Sequence, residues 1–294
     1  MRIAVDAGHG SKTEGKRTPP MPVDIDFEHD GKIDVKKGES IREHTANTGV
    51  AFLLVKELVR CGIQTVKTGF NDANSYDDKD TPLSERQSVI RNNQCDYSVC
   101  IHFDASGDGS AFNSAEGVGI YIHDKYNNNS EALASTVLKH LIKGTKQKNR
   151  GVLKQSLAMC NCNKLGVKGA ILVELAFMTN LREATELMAS QVFWREAARE
   201  ICMGICEFTG IKYVEETIMP KAINRNSSEE DIKWLQKNLN DVLEGDSFIP
   251  LAVDGIYGSR TRIAVLIYWE KRGWNQDGAK DGFHVGSGTI EALS

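Results

Sequence analysis

Through its first two thirds the chain alternates short apolar runs with longer stretches of helical period. Ile3 to Ala7 has the apolar character of a buried strand. Thr45 to Cys61 follows with apolar residues at Val50, Leu53, Leu54 and Leu58, a helical spacing that stops at Gly62. Ile63 to Thr68 predicts a strand, Leu83 to Asn92 a helix, and Tyr97 to Phe103 and Gly117 to His123 two further strands. Ser130 to Lys143 reads as a helix ending at Gly144, Ala170 to Phe177 as the last strand, and Glu183 to Phe208 as one or two closing helices before Gly210. The alternation predicts an α/β fold: a twisted, mostly parallel sheet flanked by helices on both faces.

The pattern then changes. Val214 to Ser228 is polar, without a period, and reads as a linker. Beyond it, Asp231 to Leu243 is amphipathic (Ile232, Leu235, Leu239, Val242), and two similar blocks follow. Asp254-Gly-Ile-Tyr-Gly-Ser-Arg-Thr261 is echoed by Asp281-Gly-Phe-His-Val-Gly-Ser-Gly-Thr289, each a glycine turn leading to a threonine expected to cap a helix. The expected organisation is therefore a domain over 1–213, a linker over 214–228 and a small all-helical domain over 229–294. That last piece, about 65 residues, is near the lower limit for an independent core.

One stretch of the first domain has no period at all. Ser11 to Arg42 is long and polar, and loops of that length are usually functional or disordered. Within it Asp26-Phe-Glu-His-Asp30-Gly31 resembles the start of a calcium loop, but Lys37 stands where the bidentate glutamate belongs. A solvated acidic loop beside a substrate groove is the better expectation.

Composition narrows the partners. A net charge of −4 gives none of the basic footprint expected for nucleic acid, and no polybasic membrane signal. No apolar stretch reaches the ~18 residues of a membrane span. The N-terminus runs straight into a strand pattern with no basic and apolar leader, which predicts synthesis in the cytoplasm without a signal peptide. Seven cysteines fall between Cys61 and Cys206. Cys160/Cys162 and Cys202/Cys206 lack the paired spacing of structural zinc sites, so buried reduced thiols are expected.

Chemistry concentrates at strand ends. His9 follows the first strand between Gly8 and Gly10, and His102 closes Asp96-Tyr-Ser-Val-Cys-Ile-His102. Glu174 interrupts the apolar run Ala170-Ile-Leu-Val-Glu-Leu-Ala-Phe177. Carboxyl ends of strands are where open α/β sheets bind ligands. Two imidazoles with carboxylates form the ligand set of a catalytic zinc, which needs three protein ligands and one open position. Glu43, at the head of a helix where the long loop returns, supplies a third ligand, with His44 beside it as the alternative. Glu174 is either a strand carboxylate on the solvent face or a general base beside that ion. His29, His44, His123 and His140 read as solvated or packed, His123 being the hardest to dismiss because it ends a strand.

In this order these segments resemble the zinc-dependent N-acetylmuramoyl-L-alanine amidases of the Amidase_3 type, over roughly the first 210 residues. Ile3-Ala-Val-Asp-Ala-Gly-His9-Gly10, Glu43, Leu83-Ser-Glu-Arg86, Val99-Cys-Ile-His102-Phe-Asp-Ala-Ser106, Arg150-Gly-Val152 and Ala170 to Asn180 carry the likeness. It implies zinc on His9, Glu43 and His102, Glu174 as the catalytic residue, and bacterial peptidoglycan as the substrate. Ala176 stands where such enzymes commonly have glycine, and the loop after His9 is longer than the pattern. The last part is similar to three-helix peptidoglycan-binding domains through Trp234-Leu-Gln236, Val253 to Thr261 and Asp281 to Thr289, with Trp234, Tyr257, Trp269 and Trp274 as candidate wall contacts. A leaderless amidase with a wall-binding module implies a phage endolysin that acts on the wall after release. A bacterial autolysin of mother-cell lysis, or an inactive wall-binding protein, are the alternatives.

Overall fold

The computed structural model describes residues 1–27, 31–216, 222–245, 249–274 and 281–293. Two compact units emerge, Met1–Glu216 and Thr217–Ser294. Positions 28–30 of the calcium-like stretch, His29 among them, lie outside the described residues, as do positions 217–221 of the expected linker.

In the first unit the elements run β1 (Arg2–Ala7), α1 (Glu43–Arg60), β2 (Gln64–Thr68), α2 (Leu83–Asn92), β3 (Tyr97–Asp104), β4 (Val118–Ile122), α3 (Ser130–Gly144), β5 (Asn149–Lys154), α4 (Cys162–Leu165), β6 (Gly169–Phe177), α5 (Leu181–Glu183) and α6 (Gln191–Thr209). The six strands form one sheet in the order β2-β1-β3-β6-β4-β5. Neighbours are parallel except where β4 meets β6. This is the mostly parallel, helix-flanked sheet that the alternating pattern predicts. Strand periodicity divides the core: Ile3, Val5, Val99, Ile101, Ile171 and Val173 pack with α1, α3 and α6, while Ala4, Cys100, Ala170 and Leu172 face Ile90 of α2 and Leu165 of α4.

Helix ends follow their residues in some places and not in others. Gly62, at φ +76°, turns the chain out of α1, and the amides of Gly62 and Ile63 return to Val59 and Leu58. Gly144 is the last residue of α3, as expected, but without a left-handed turn; a side chain there would meet the Glu200 carboxylate at 2.5 Å, so the glycine also permits close helix packing. Strand β5 has no apolar alternation to announce it, because Asn149, Arg150 and Lys154 are exposed on an edge strand.

The polar stretch after His9 is ordered by a few apolar anchors. Met21, Ile25, Phe27, Val35 and Ile41 are buried and join the main core, with Phe27 against Trp194 at 5.5 Å between ring centres. Isolated bridges pair Arg17 with Arg42 and Ile25 with Val35. The anchors are spaced irregularly, which is why no period marks them.

The second unit has a short ribbon of β7 (Ile223–Asn224) and β8 (His284–Val285) beside α7 (Glu229–Val242), α8 (Ser259–Lys271) and α9 (Ser287–Leu293). Ile223, inside the stretch expected to be linker, is fully buried in this unit's core. Thr261 and Thr289 do not cap their helices, which begin two residues earlier. Instead Thr261 Oγ1 accepts from Gln236 Nε2 at 3.1 Å, and Thr289 Oγ1 accepts from Trp269 Nε1 at 2.9 Å.

Candidate active site

Three elements of the first unit bring His9, Glu43 and His102 together. Strand β1 ends in Ala7, and His9 adopts φ +65°, a left-handed conformation that turns its side chain back over the strand ends. Gly8 makes room for this turn: a Cβ there would lie 2.1 Å from Cε1 of His102. His102 comes from the far end of β3, and Glu43 opens the first turn of α1, where a carboxylate complements the helix dipole.

The Glu43 carboxylate sits between the two imidazoles. Its Oε2 is 3.2 Å from His9 Nε2 and its Oε1 is 2.9 Å from His102 Nδ1. The two rings meet edge-on at 4.8 Å. Oε1 also accepts from the Phe103 amide and from Asn47 Nδ2, both at 3.3 Å. Burial pushes the Glu43 carboxyl upward, but the hydrogen bonds from His102 and His9 outweigh it and hold the group far below the usual carboxylate range. Burial likewise lowers His102, and the bond to Glu43 reverses this and raises it.

The neighbouring His44 faces elsewhere. Its Nδ1 is 2.7 Å from the Gly8 carbonyl and its Nε2 is 2.9 Å from Asp78 Oδ2 and 3.1 Å from Thr48 Oγ1. Of the two candidates for a third ligand, Glu43 is therefore the one whose side chain faces both histidines.

Glu174 stands beside this trio. In the parallel register of β3 and β6 it is the direct partner of His102. Its Oε2 is enclosed and has no hydrogen-bond partner among the described residues. Burial pushes its carboxyl up to about 8; His102 opposes the shift, and the negative charges of Glu43 and Asp104 add to it. Asp104 is itself raised by burial.

An ion fits the trio better than the other group sharing His102. The ligand atoms of His9, Glu43 and His102 lie within 4.8 Å of one another, and so do those of Asp6, Cys100 and His102. Asp6 is already saturated: Oδ1 accepts from Thr68 Oγ1 at 2.7 Å and from Arg86 Nη1 at 3.2 Å, and Oδ2 accepts from Cys100 Sγ at 2.7 Å. Its charge is balanced by Arg86, whereas the trio has two imidazoles and a carboxylate converging with an unpaired carboxylate oxygen nearby. That is the donor set of a catalytic zinc with an open position.

The profile of the N-acetylmuramoyl-L-alanine amidase family, Amidase_3, matches residues 3–207. The chain belongs to this amidase family. Its fold is similar to that of an N-acetylmuramoyl-L-alanine amidase from Clostridium difficile 630, at 23% identity and a TM-score of 0.56, covering 72% of this chain and 97% of that one. The catalytic domain of CwlV, an amidase of Paenibacillus polymyxa, aligns at 23% identity and a TM-score of 0.53, covering 72% and 99%. The catalytic domain of the CD27L endolysin targeting Clostridium difficile aligns at 18% identity and a TM-score of 0.50, covering 73% and 99%. An uncharacterized protein of Clostridium perfringens is 27% identical over 233 residues, 79% of this chain; the chain spans 58% of that relative's length. The family's substrate is peptidoglycan, and none of the described helices is long and apolar enough to cross a membrane.

Within this amidase domain, Asp6 and Arg86 escaped sequence reasoning as a pair. Both are 1% exposed, and Arg86 also donates to the carbonyls of Ala7 (2.6 Å) and His9, tying α2 to the end of β1. An arginine in a polar helix start gives no hint of that burial; its only signal was the Leu83–Arg86 match. His123 stays out of the site, its Nδ1 accepting from the amides of Lys125 and Tyr126 and its Nε2 lying 3.2 Å from Asn161 Nδ2. His140 pairs with Glu207.

The candidate wall contacts separate by burial. Tyr257 and Trp269 belong to the core of the second unit, the Tyr257 hydroxyl donating to the Gly282 carbonyl at 2.8 Å. Trp234 packs partly against that core, and Trp274 is exposed. A cavity of about 640 Å³ lies beside Trp269, Trp274, Asp281, His284 and Thr289.

Proposed function

We propose that this chain hydrolyses the amide bond between the lactyl group of N-acetylmuramic acid and L-alanine in bacterial peptidoglycan, using zinc held by His9, Glu43 and His102. One observation carries the reading: a carboxylate held between two imidazoles stands beside Glu174, whose Oε2 is enclosed and has no hydrogen-bond partner among the described residues. A zinc ion bound there would supply a Lewis acid, polarising the scissile carbonyl and making a water molecule acidic. Glu174 acts as the general base: it takes the proton of the attacking water and returns it to the departing amine of L-alanine. Burial raises the proton affinity of this carboxyl, which favours its taking the proton from the water. Glu43, kept ionised by its two histidines, stays a ligand and takes no part in the proton transfer.

The second unit is proposed to hold the enzyme on the wall, with the cavity beside Trp274 as the contact and Tyr257 as part of its core. Tethering raises the local concentration of the catalytic unit on its polymer. The setting proposed is that of an endolysin; an adjacent holin gene would separate this from an autolysin of mother-cell lysis.

Digestion of purified wall tests the reading and its inactive-protein rival together. The wild type should release new L-alanine amino termini without new reducing ends, and EDTA should stop the release until zinc is returned. Reducing ends in their place, or full activity in EDTA or in Glu174→Ala, would overturn it.

A further inference from the structure

Three of the seven cysteines converge where α1 ends against α6. Cys61 caps α1, and Cys202 and Cys206 lie one turn apart on α6. Their sulfur atoms are all within 4.8 Å of one another, those of Cys61 and Cys202 being 3.8 Å apart. All three residues are buried, and Cys61 is the most accessible at 8%.

Three of the other four cysteines have oxygen partners. Cys100 donates to Asp6 at 2.7 Å, Cys160 to the Tyr121 carbonyl at 3.5 Å, and Cys162 lies 3.4 Å from Ser130 Oγ. In the cluster, the sulfur contacts among the described residues are to other sulfurs and to one donor, the Val214 amide, 3.4 Å from Cys61 Sγ. Three thiol protons thus share a buried space without an oxygen acceptor, and an amide N–H points at one of the sulfurs. Simple packing of small apolar side chains requires neither feature. Hydrogen bonds from Cys202 and then Cys61 lower the Cys206 thiol against the effect of burial, while the Cys202 and Cys61 thiols are raised.

We propose that Cys61, Cys202 and Cys206 form a three-coordinate thiolate site for a soft metal ion of the copper(I) class. An ion about 2.3 Å from each of three sulfurs in one plane places them about 4.0 Å apart, close to the 3.8 Å between Cys61 and Cys202 and inside the 4.8 Å that bounds the cluster. Zinc with cysteine completes a tetrahedron, and no fourth metal-ligating side chain joins these three among the described residues. Glu57, whose charge acts on Cys206, is held by Arg60 and by the Tyr213 hydroxyl at 2.7 Å. Soft thiolates with no nitrogen or oxygen ligand select copper(I). Thiol protons leave to solvent as the ion enters, and the bound ion clamps the last turn of α1 to α6.

The test is an anaerobic titration of the reduced full chain with copper(I), zinc present throughout, against a chromophoric copper(I) chelator. One equivalent should be withheld from the chelator, the copper X-ray absorption should show three sulfur neighbours, and the melting temperature should rise. Cys61→Ala and Cys206→Ala should each lose that equivalent, while Cys95→Ala, remote from the cluster, should keep it. No withheld copper, nitrogen or oxygen neighbours in its place, or undiminished binding by the two cluster variants would overturn the proposal. The absorption spectrum is read on the unaltered chain, so the answer stands whether or not the variants fold.

Discussion

Glu43, at the head of α1, and Glu174, in the middle of β6, are carboxylates enclosed by the same fold and treated by it in opposite ways. Glu43 has a partner on each oxygen: His9 on Oε2, and His102, Phe103 and Asn47 on Oε1. Glu174 has an oxygen with none among the described residues. The first carboxyl is held far below its ordinary range and the second is pushed up to about 8. Burial acts on both in the same direction, so the difference comes from the donors. A carboxylate that must stay ionised as a ligand is surrounded by them, and one that must exchange a proton is left short of them.

Removing each charge in turn should separate the two roles most sharply. Glu174→Gln keeps the shape and deletes the base, so wall hydrolysis should fall by roughly 10²- to 10⁴-fold, while zinc content by metal analysis stays at one equivalent. Glu43→Gln should lose the zinc itself, and with it all turnover. If Glu174→Gln also came out of purification without zinc, the division between ligand and base would be wrong.

Beneath the Glu43 side of the site lies a second charged pair, and its loss comes next in size. Arg86 Nη1 is 3.2 Å from Asp6 Oδ1, and both side chains are 1% exposed. Arg86→Met leaves Asp6 buried with Thr68 and Cys100 as its side-chain donors among the described residues, which should cost about 3–5 kcal/mol in urea denaturation. Because Arg86 also holds the Ala7 and His9 carbonyls, zinc affinity should drop as well. Replacing Asp6 and Arg86 together should cost less than the sum of the single changes.

The ease of reading the sequence differs between the two sides for the same physical reason. Strands β1, β3 and β6 announce themselves because each is a continuous apolar run, and His9, His102 and Glu174 stand out against that background. Glu43 is harder: His44 is adjacent, and only the chain's path into α1 shows that His44 turns to Gly8 and Asp78. Asp6 and Arg86 are 80 residues apart and their pairing has no local pattern. The loop after His9 is held by five apolar anchors at irregular intervals, so its order arises from tertiary packing, which no period reports. In the second unit the helices were legible as amphipathic stretches. Thr261 and Thr289 brace their helices where caps are expected, because a threonine before an apolar run looks the same whether it caps a helix or braces its first turn.

A smaller perturbation probes how closely the two sides must meet. Gly8 lies against the His102 ring, where an added Cβ would come 2.1 Å from Cε1. Gly8→Ala must displace either the ring or the end of β1, and a misplacement near 1 Å at a catalytic group costs about 10²-fold in rate. Activity should fall by that order while the protein remains folded by circular dichroism. Unchanged activity would mean that the trio tolerates more slack than its packing indicates.

The contrast between the carboxylates is read most directly by a measurement that needs no substrate. In chelator-treated protein burial pushes the Glu174 carboxyl up to about 8, against 4.5 for an unperturbed glutamate. Below 4.5 it is protonated in the folded and unfolded chains alike. Between 4.5 and 8 the folded chain retains a proton that the unfolded chain has released, so stability falls as pH rises through this window. Glu43 acts with the opposite sign: its depressed carboxyl contributes stability above the unfolded value and loses it as the solution becomes more acidic. The melting temperature of the metal-free wild type should therefore decline from about pH 5 toward pH 8 more steeply than that of Glu174→Gln, which has no proton to lose there. Parallel profiles for the two proteins would show that Glu174 is already ionised in the folded chain, and its role as the acceptor of the water's proton would need another source for the raised affinity.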